Sequence, residues 1–443
     1  MADNFNSILD FGEPERKKSI IKVIGVGGGG GNAVNHMYRE GIHDVNFVLC
    51  NTDNQALNDS PVPVHLQLGT EGLGAGNRPE KARKAAEESI DDIKKMLSDG
   101  TKMAFITAGM GGGTGTGAAP VIARVSKEMG ILTVGIVTIP FRFEGERKID
   151  QALDGVEEMA KNVDALLVIN NERLRKIYTD LTVLDAFGKA DDTLSIAARS
   201  ISEIITNHGI INLDFNDVKT VLKEGGVAIM STGYGEGEGR VQKAIEDALN
   251  SPLLNDNDIF NSKKILLSIN FCNEKDANNG LMMEEMNDIN DFMAKFGKDF
   301  EIKWGLGTLP DLGNKVKITI LATGFGLRDV EVMSSHLNKK YTQEEASRIA
   351  EIEEKKAEKM ERMKEYYGET NTSGYSKRAK HIYLFRPEDL DNEDVIYAVE
   401  TTPTYKRSKK TVNDIRNQAD GQKPNEDETS DNSEPVQGII SFA

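Results

Sequence analysis

The chain has 443 residues, a formal net charge of −17 and a pI near 5.0. This length is enough for two or three domains of about 100 to 200 residues each. So acidic a chain is repelled by phosphate backbones and anionic lipids, which argues against nucleic acid as a main partner. No apolar stretch reaches the roughly 18 residues that span a bilayer, and Cys50 and Cys272 are too few for a disulfide framework. We therefore expect a cytoplasmic protein without direct membrane insertion.

Short apolar runs alternate with helix-period segments from Ile20 onward, after a polar stretch at 1–19 that we expect to be flexible. The runs have the length and composition of buried strands, at residues 20–26, 45–50, 102–107, 132–139 and 165–170. Strands that alternate with helices are typical of a mainly parallel sheet covered on both faces. We predict an α/β fold with a Rossmann-like nucleotide-binding domain over residues 20–180.

The longest helix-period segment without a proline runs from Leu181 to His208, and Gly209 is a suitable helix terminator. We interpret residues 181–209 as a long central helix between two domains. Four strand candidates follow, at residues 226–231, 263–271, 300–304 and 315–325. Together with the helical segments between them, they predict a C-terminal α+β domain over residues 210–326.

The composition changes after residue 326, where charged and polar residues dominate. Too few large apolar side chains remain to offset the entropy of ordering, so we expect a disordered, charged and flexible linker over residues 327–433. An apolar tail follows at residues 434–443. This tail is either a docking peptide or a frayed terminus.

A run of consecutive glycines, Gly27–Gly31, follows the first predicted strand and opens a helix. Backbone N–H groups at a helix N-terminus bind phosphate, and a Cβ would keep the phosphate away from them. The segment from Gly25 also fits the GxGxxG pattern, and Asp53 lies near the place of a ribose-binding acid in dinucleotide folds. This single match leaves an NAD-linked dehydrogenase as an alternative.

A second glycine cluster spans residues 109–117, and a third glycine-bearing connection spans residues 72–77. None of the glycine loops is followed by the Gly-Lys-Ser/Thr that defines a P-loop. A nicotinamide cofactor needs one phosphate loop, so the additional loops favour a nucleotide whose long phosphate chain is held from several sides. The alternative is that these glycines only permit tight turns between strands and helices.

The cluster GMGGGTGTG resembles the signature loop of the tubulin superfamily. Together with VGGGGGNAV, PFRFEGE, NLDFNDV and SPLL, collinear from about Ile20 to Phe325, it makes the chain similar to the FtsZ family of bacterial cell-division GTPases. The resemblance implies a protein that polymerises head-to-tail into filaments of the division ring at midcell. It also implies hydrolysis of GTP to GDP and phosphate. A non-hydrolysing tubulin-like scaffold is a further alternative.

The resemblance assigns residues to a GTP/GDP site. They are Gly28, Gly29, Gly30, Gly31, Asn32, Ala75, Gly76, Asn77, Gly113, Thr114, Gly115, Glu144, Arg147, Lys148, Asn171, Phe187 and Asp192. Glu144 would accept hydrogen bonds from the ribose, and Asp192 from guanine N1 and N2, where adenine has no donors. Phe187 would either stack on the base or serve as a core aromatic. The family's arginine after the FEG motif is Lys148 here, so either Arg147 or Lys148 would contact the nucleotide.

The glycine loops supply no carboxylate that would orient an attacking water, whereas the loop NLDFND carries Asn212, Asp214 and Asp217. The resemblance implies that this loop reaches into the nucleotide site of the next subunit, so that hydrolysis requires assembly. Asp214 or Asp217 alternatively caps a helix that begins near Val218. The resemblance also implies a Mg²⁺ on the phosphates, with ligands that the sequence does not identify.

The resemblance further implies that the C-terminal tail binds division proteins and membrane-anchoring adaptors. Here the tail shares only its apolar character and Phe442 with the family's docking peptide. We expect a shifted version of that docking site over Val436 to Phe442.

Overall fold

The computed structural model describes residues 19–42, 44–178, 180–207, 209–251, 259–273, 280–296, 300–330, 333–338, 340, 342, 358–359, 362, 380–386, 389–390, 392–404, 406–419 and 439–442. The expected flexible segment at 1–19 lies outside these residues except for Ser19, as does the apolar tail except for 439–442. The chain divides into two compact units, Met1–Glu344 and Glu345–Ala443.

The first unit is built on one sheet of eleven strands. The strands are β1 (Ile21–Val26), β2 (Asn46–Asn51), β3 (His65–Gln67), β4 (Met103–Gly109), β5 (Leu132–Ile139), β6 (Ala165–Asn170), β7 (Gly209–Ile211), β8 (Gly226–Glu236), β9 (Lys264–Phe271), β10 (Glu301–Thr308) and β11 (Lys315–Phe325). Their order across the sheet is β3-β2-β1-β4-β5-β6-β8-β11-β9-β10-β7. Neighbouring strands from β3 to β8 are parallel, β11 is antiparallel to β8 and β9, and β10 is parallel to β9 and antiparallel to β7.

Helices cover both faces of this sheet. They are α1 (Gly27–Arg39), α2 (Asn54–Asn58), α3 (Pro79–Glu88), α4 (Ile90–Leu97), α5 (Thr114–Glu128), α6 (Glu146–Asn162), α7 (Asn171–Ile177), α8 (Val183–Thr206), α9 (Phe215–Leu222), α10 (Arg240–Leu249), α11 (Glu285–Met293) and α12 (residues 333–338). One buried cluster contains Ile122 of α5 and Val156 of α6, and the other contains Val34 of α1 and Leu194 of α8. The predicted α/β fold, with a mainly parallel sheet covered on both faces, is confirmed.

The sheet is continuous across the expected boundary between the two domains. β6 pairs with β8 in parallel over three residue pairs, from Ala165 opposite Gly226 to Leu167 opposite Ala228. β8 then pairs with β11, which is the first antiparallel pair along the sheet. The expected ranges 20–180 and 210–326 therefore share one sheet, and both lie within the first compact unit.

The long central helix is shorter than predicted. α8 begins after Thr182, whose hydroxyl accepts from the Asp185 N–H at 3.2 Å, and it ends at Thr206 because Asn207 has extended backbone angles. The predicted terminator Gly209 is instead the first residue of β7. A Cβ there would lie 2.4 Å from the Leu306 carbonyl oxygen, so glycine lets β7 approach β10.

The second unit contains strands β12 (Lys380–Tyr383) and β13 (Ile439–Phe442) and helices α13 (Glu393–Thr401) and α14 (Lys409–Ala419). A small core buries Tyr383, Val395, Val412 and Ile415. The linker expected over residues 327–433 is therefore interrupted by folded elements. Composition concealed them because a few apolar residues, spaced to share one helix face, suffice for a core of this size.

None of the helices in the described parts of the chain combines the length and the apolar character that crossing a bilayer requires.

Candidate functional site

Three glycine-bearing loops meet at one edge of the sheet. They follow β1, β4 and β3 and lead into α1, α5 and α3, and the carboxyl ends of parallel strands lie at the same edge. A Cβ on Gly27 would lie 2.7 Å from the Gly115 nitrogen, and a Cβ on Gly113 would lie 2.9 Å from the Ala75 Cβ. The hydroxyls of Thr52 and Thr114 are 2.7 Å apart. The loops therefore form one surface.

Some of these glycines are explained by packing alone. A Cβ on Gly30 would lie 2.2 Å from the Thr107 carbonyl oxygen, and one on Gly115 would lie 2.6 Å from the Gly109 oxygen. A Cβ on Gly29 would approach Gly109 to 3.1 Å. For these positions, the tight-turn alternative accounts for the choice of glycine.

Other glycines border open space. A Cβ on Gly28, Gly76 or Gly112 would meet no atom within 4 Å, and on Gly31 it would meet only a Leu49 methyl group at 3.9 Å. The exposed Asn32 follows directly. The fold does not require glycine at Gly28, Gly31 or Gly112, whereas Gly76 has a φ of +59° that favours it. The absent side chains leave backbone N–H groups open to a phosphate.

Two side chains beyond those assigned to the GTP/GDP site hold the second loop. The Thr116 hydroxyl accepts from the Gly111 N–H at 2.9 Å. Gln151 of α6 donates to the carbonyl oxygens of Gly111 and Gly112 at 3.2 and 2.9 Å. An isolated glutamine on a helix carries no sequence signal for this role, since only the fold brings α6 beside the loop.

Glu144 lies in the turn Arg142–Glu144 after β5. It accepts from the Phe141 N–H at 2.9 Å and from the Lys148 ammonium at 2.6 Å. The Lys148 side chain also lies against the second loop, since a Cβ on Gly111 would be 3.0 Å from its Cγ. Lys148 therefore packs directly against the second glycine loop.

Arg147 lies on a different side of α6. It lines a cleft of about 860 Å³ between α3, α5 and α6, together with Asn77 and Arg78. Two acids of this cleft are already paired with a lysine. Lys340 contacts Glu157 at 2.7 Å and Asp154 at 3.5 Å. The group of Asp154, Glu157 and His336 is thus occupied by a lysine, which opposes a metal ion there.

The candidate base-binding side is formed by β5, β6 and α8. The Phe187 ring is 39% exposed and packs edge-on against Phe141 and Phe143, at 5.2 and 6.2 Å between centroids. Phe187 is therefore not a fully packed core aromatic. Asn171 is buried, and its side-chain oxygen has no hydrogen-bond partner among the described residues. An orphaned buried acceptor at this edge fits a ligand with donor groups.

Asp192, the predicted guanine contact, interacts with two protein side chains. One of its carboxylate oxygens lies 3.2 Å from the His36 ring nitrogen, and the other lies 3.8 Å from the Lys189 ammonium. Asp191 comes four residues after Phe187 and so shares its helix face. Burial raises the pKa of Asp191 to about 6, with neighbouring Asp192 adding to the effect and His36 opposing it. We did not single out Asp191 in the sequence because we did not apply this spacing to the pair of aspartates.

The acidic loop forms the start of α9. Asp214 accepts from the Asp217 N–H at 2.9 Å, and Asp217 accepts from the Asp214 N–H at 3.2 Å. The helix-capping alternative is thus correct for both residues, although α9 begins at Phe215 rather than near Val218. Asn212 accepts from the Gly209 N–H at 2.6 Å.

This loop lies at the opposite end of the sheet from the glycine loops. Asp217 contacts Lys303 at 3.3 Å, near the amino end of β10, which runs in the same direction as β6. The Gly225 N–H, after α9, donates to the carbonyl of Asp164, which precedes β6. The glycine loops follow the carboxyl ends of the strands, so one subunit does not bring the two sets of residues together.

Asp53, the candidate ribose-binding acid of the dehydrogenase alternative, has a structural role instead. Asp53 accepts from the Gln55 N–H at 3.0 Å and caps α2.

Comparison with known proteins identifies the family. Residues 20–179 match the Tubulin/FtsZ family GTPase domain, residues 226–326 match the FtsZ family C-terminal domain, and residues 377–422 match a further model described as FtsZ, C-terminal. A cell division protein FtsZ from Porphyromonas gingivalis is 53% identical over 412 residues, which cover 91% of this chain and 88% of that protein. The chain belongs to the FtsZ family. A second FtsZ, from Pseudomonas putida, is 43% identical and covers 85% of this chain and 95% of its own length.

Solved structures agree with this assignment. An FtsZ dimer from M. jannaschii superposes with a TM-score of 0.63 at 38% identity and covers 70% of this chain and 89% of that one. The chain is accordingly a GTP-dependent, polymer-forming GTPase of cell division, which excludes the dehydrogenase alternative.

Proposed function

We propose that each active site of the protein is built from two subunits. The glycine loops of one subunit bind GTP, and Asn212, Asp214 and Asp217 of the next subunit orient the attacking water. The observation that carries the proposal is the position of these groups at opposite ends of the sheet. Head-to-tail stacking brings opposite ends together, and a contact of this kind does not close, so it yields filaments.

The negative charge on the γ-phosphate changes during hydrolysis, so the groups around the phosphates must stabilise it. N–H groups beside Gly28, Gly76, Gly112 and Gly113 would hold the phosphates from several sides. A Mg²⁺ that enters with the nucleotide would offset the phosphate charge, held mainly by phosphate oxygens and water, with the Thr52 and Thr114 hydroxyls nearby. The carboxylates of the next subunit polarise the water, so a free subunit turns over GTP slowly.

The base would lie between Phe187 and Asn171. We propose Asp191 rather than Asp192 as the acceptor for the guanine N1 and N2 hydrogens, because it shares a face with Phe187 and has no hydrogen bond to a described residue. Glu144 would meet the ribose. Lys148 is favoured over Arg147 as the cation beside the phosphates.

A pair of glycine substitutions tests the phosphate site. Gly28→Ala is expected to fold with unchanged or slightly higher stability, because its Cβ meets no protein atom and alanine favours helix by up to about 1 kcal/mol. GTP affinity is expected to fall at least tenfold, because the methyl group blocks phosphate approach. Nucleotide titration calorimetry and thermal unfolding measure both quantities.

Gly30→Ala is the matched comparison. Its Cβ would clash with the Thr107 carbonyl oxygen, so it is expected to lower the melting temperature clearly. Unchanged GTP affinity in a normally folded Gly28→Ala protein would contradict the placement of the phosphates.

We also propose that the tail at 434–443 binds division proteins and membrane-anchoring adaptors, and that the protein acts in the cytoplasm at the midcell division site. Deletion of residues 434–443 should leave GTP turnover intact and abolish midcell localisation. Normal localisation of the deletion variant would contradict this role of the tail.

A further inference from the structure

The second unit joins two strands that are far apart in sequence. β12 and β13 are antiparallel, with Lys380 opposite Phe442, His381 opposite Ser441, Ile382 opposite Ile440 and Tyr383 opposite Ile439. β13 lies within the apolar tail, and residues 420–438 connect it to α14. The apolar tail is therefore paired with another strand of the same chain.

β12 belongs to a folded scaffold. Tyr383, at its end, is 5% exposed and packs in the small core with Val412 and Ile415. Its hydroxyl donates to Asp389 at 3.1 Å, and the Arg416 guanidinium lies 5.4 Å from its ring centroid. Among the described residues, the core that anchors β12 contains side chains of β12, α13 and α14, so these elements position the strand edge with which β13 pairs.

β13 is held differently. In the described part of the second unit it pairs only with β12, in a two-stranded sheet. Isolated two-stranded pairing is marginally stable in water, so release of β13 costs little. Because residues 420–438 join the tail to α14 in one chain, the pairing is intramolecular, which gives the tail a high effective concentration at β12.

We propose that the β12 edge is a docking site for the segment Ile439–Phe442, and that this docking withholds the tail from other proteins. Main-chain pairing of an extended segment with a sheet edge supplies the affinity. A partner that binds the same segment must first displace it from β12. The competition rests on the proposed role of the tail in partner binding, whereas the docking itself does not.

Paired cysteines test the register in the full-length protein. His381→Cys with Ser441→Cys places two cysteines directly opposite, where Cα atoms of antiparallel pairs lie about 4.5 to 5.5 Å apart, within disulfide range. The control pair, Lys380→Cys with Ile439→Cys, sits at opposite ends of the same ladder. Both native cysteines are buried. We expect an intrachain disulfide in the first variant, formed at least tenfold faster than in the control. Equal rates would overturn the docking.

A labelled peptide of residues 434–443 tests the competition. Ile440→Pro removes an N–H from β13 and prevents regular pairing, so the full-length variant should bind the peptide at least tenfold more tightly than the unmodified chain. Thr429→Pro, in the connector, should behave like the unmodified chain. Equal peptide binding by the Ile440→Pro and unmodified chains would overturn the proposal.

A Fab raised against the free peptide serves as a surrogate partner. It should bind the oxidised His381→Cys/Ser441→Cys protein at least tenfold more weakly than the reduced protein. Equal binding of the Fab to both forms would overturn the withholding of the tail. Loss of midcell localisation on tail deletion is a separate result, so failure of the docking and failure of the tail's partner role are distinguishable.

Discussion

Asp217→Asn is expected to lower GTP turnover by about a hundredfold or more, because a positioned proton acceptor contributes about 10²- to 10⁴-fold. GTP binding and filament assembly should persist. Asparagine keeps a side-chain oxygen that can accept from the Asp214 N–H. The substitution therefore removes the negative charge while it preserves the start of α9. Phosphate release and sedimentation, measured in the same samples, separate turnover from assembly.

Asp214→Asn should behave in the same way, because asparagine is as good an N-cap as aspartate, whereas Asp214→Ala also removes an N-cap worth about 1 kcal/mol. Glu238→Gln is a suitable control, because Glu238 is an exposed acid in the loop between β8 and α10. Unchanged turnover in both aspartate variants would show that the carboxylates act only as caps.

Asp191→Asn is expected to weaken GTP binding by about ten- to a hundredfold, because it replaces a charged acceptor of two hydrogen bonds with a neutral group. Discrimination against ATP should fall with it. Asp192→Asn is the matched control on the same helix, where the carboxylate lies beside His36. A larger loss of affinity in Asp192→Asn than in Asp191→Asn would contradict this assignment and identify Asp192 as the guanine contact.

Asp191→Asn should increase the stability of the nucleotide-free protein, although it weakens GTP binding. Burial raises the pKa of Asp191 from 3.8 to about 6, so the folded protein binds more protons than the unfolded chain between these values. The contribution of this group to the free energy of unfolding therefore falls as pH rises from about 4 to 6 and stays low above. Without nucleotide, Asp191→Asn should be more stable than the unmodified protein at pH 7.5, with little difference at pH 4. Denaturant unfolding at both pH values measures this.

Most of the fold followed from the pattern of the sequence. Buried parallel strands are continuous apolar runs, so β4 and β5 were evident, and the long alternation of strands and helices gave the sheet. β3 and β7 were missed because edge strands of three residues carry too little pattern. The folded second unit was missed because its core is small.

The site was only partly predictable from the sequence. Glycines between a strand and a helix indicate phosphate, but the sequence does not distinguish Gly30, which packs on β4, from Gly28, which borders open space. Thr52 and Gln151 reach the loops only through tertiary contacts. Asp191 could have been proposed from the sequence, since its spacing of four residues from Phe187 is visible there.

The most direct test of the shared site is phosphate release from GTP with Mg²⁺, measured per protein molecule across a protein titration, with ATP as control and sedimentation in parallel. A site completed by the next subunit predicts a GTP-specific rate that is near zero below a threshold concentration and rises together with pelletable polymer. A rate per molecule that stays constant on dilution would contradict it, because all catalytic groups would then lie within one subunit.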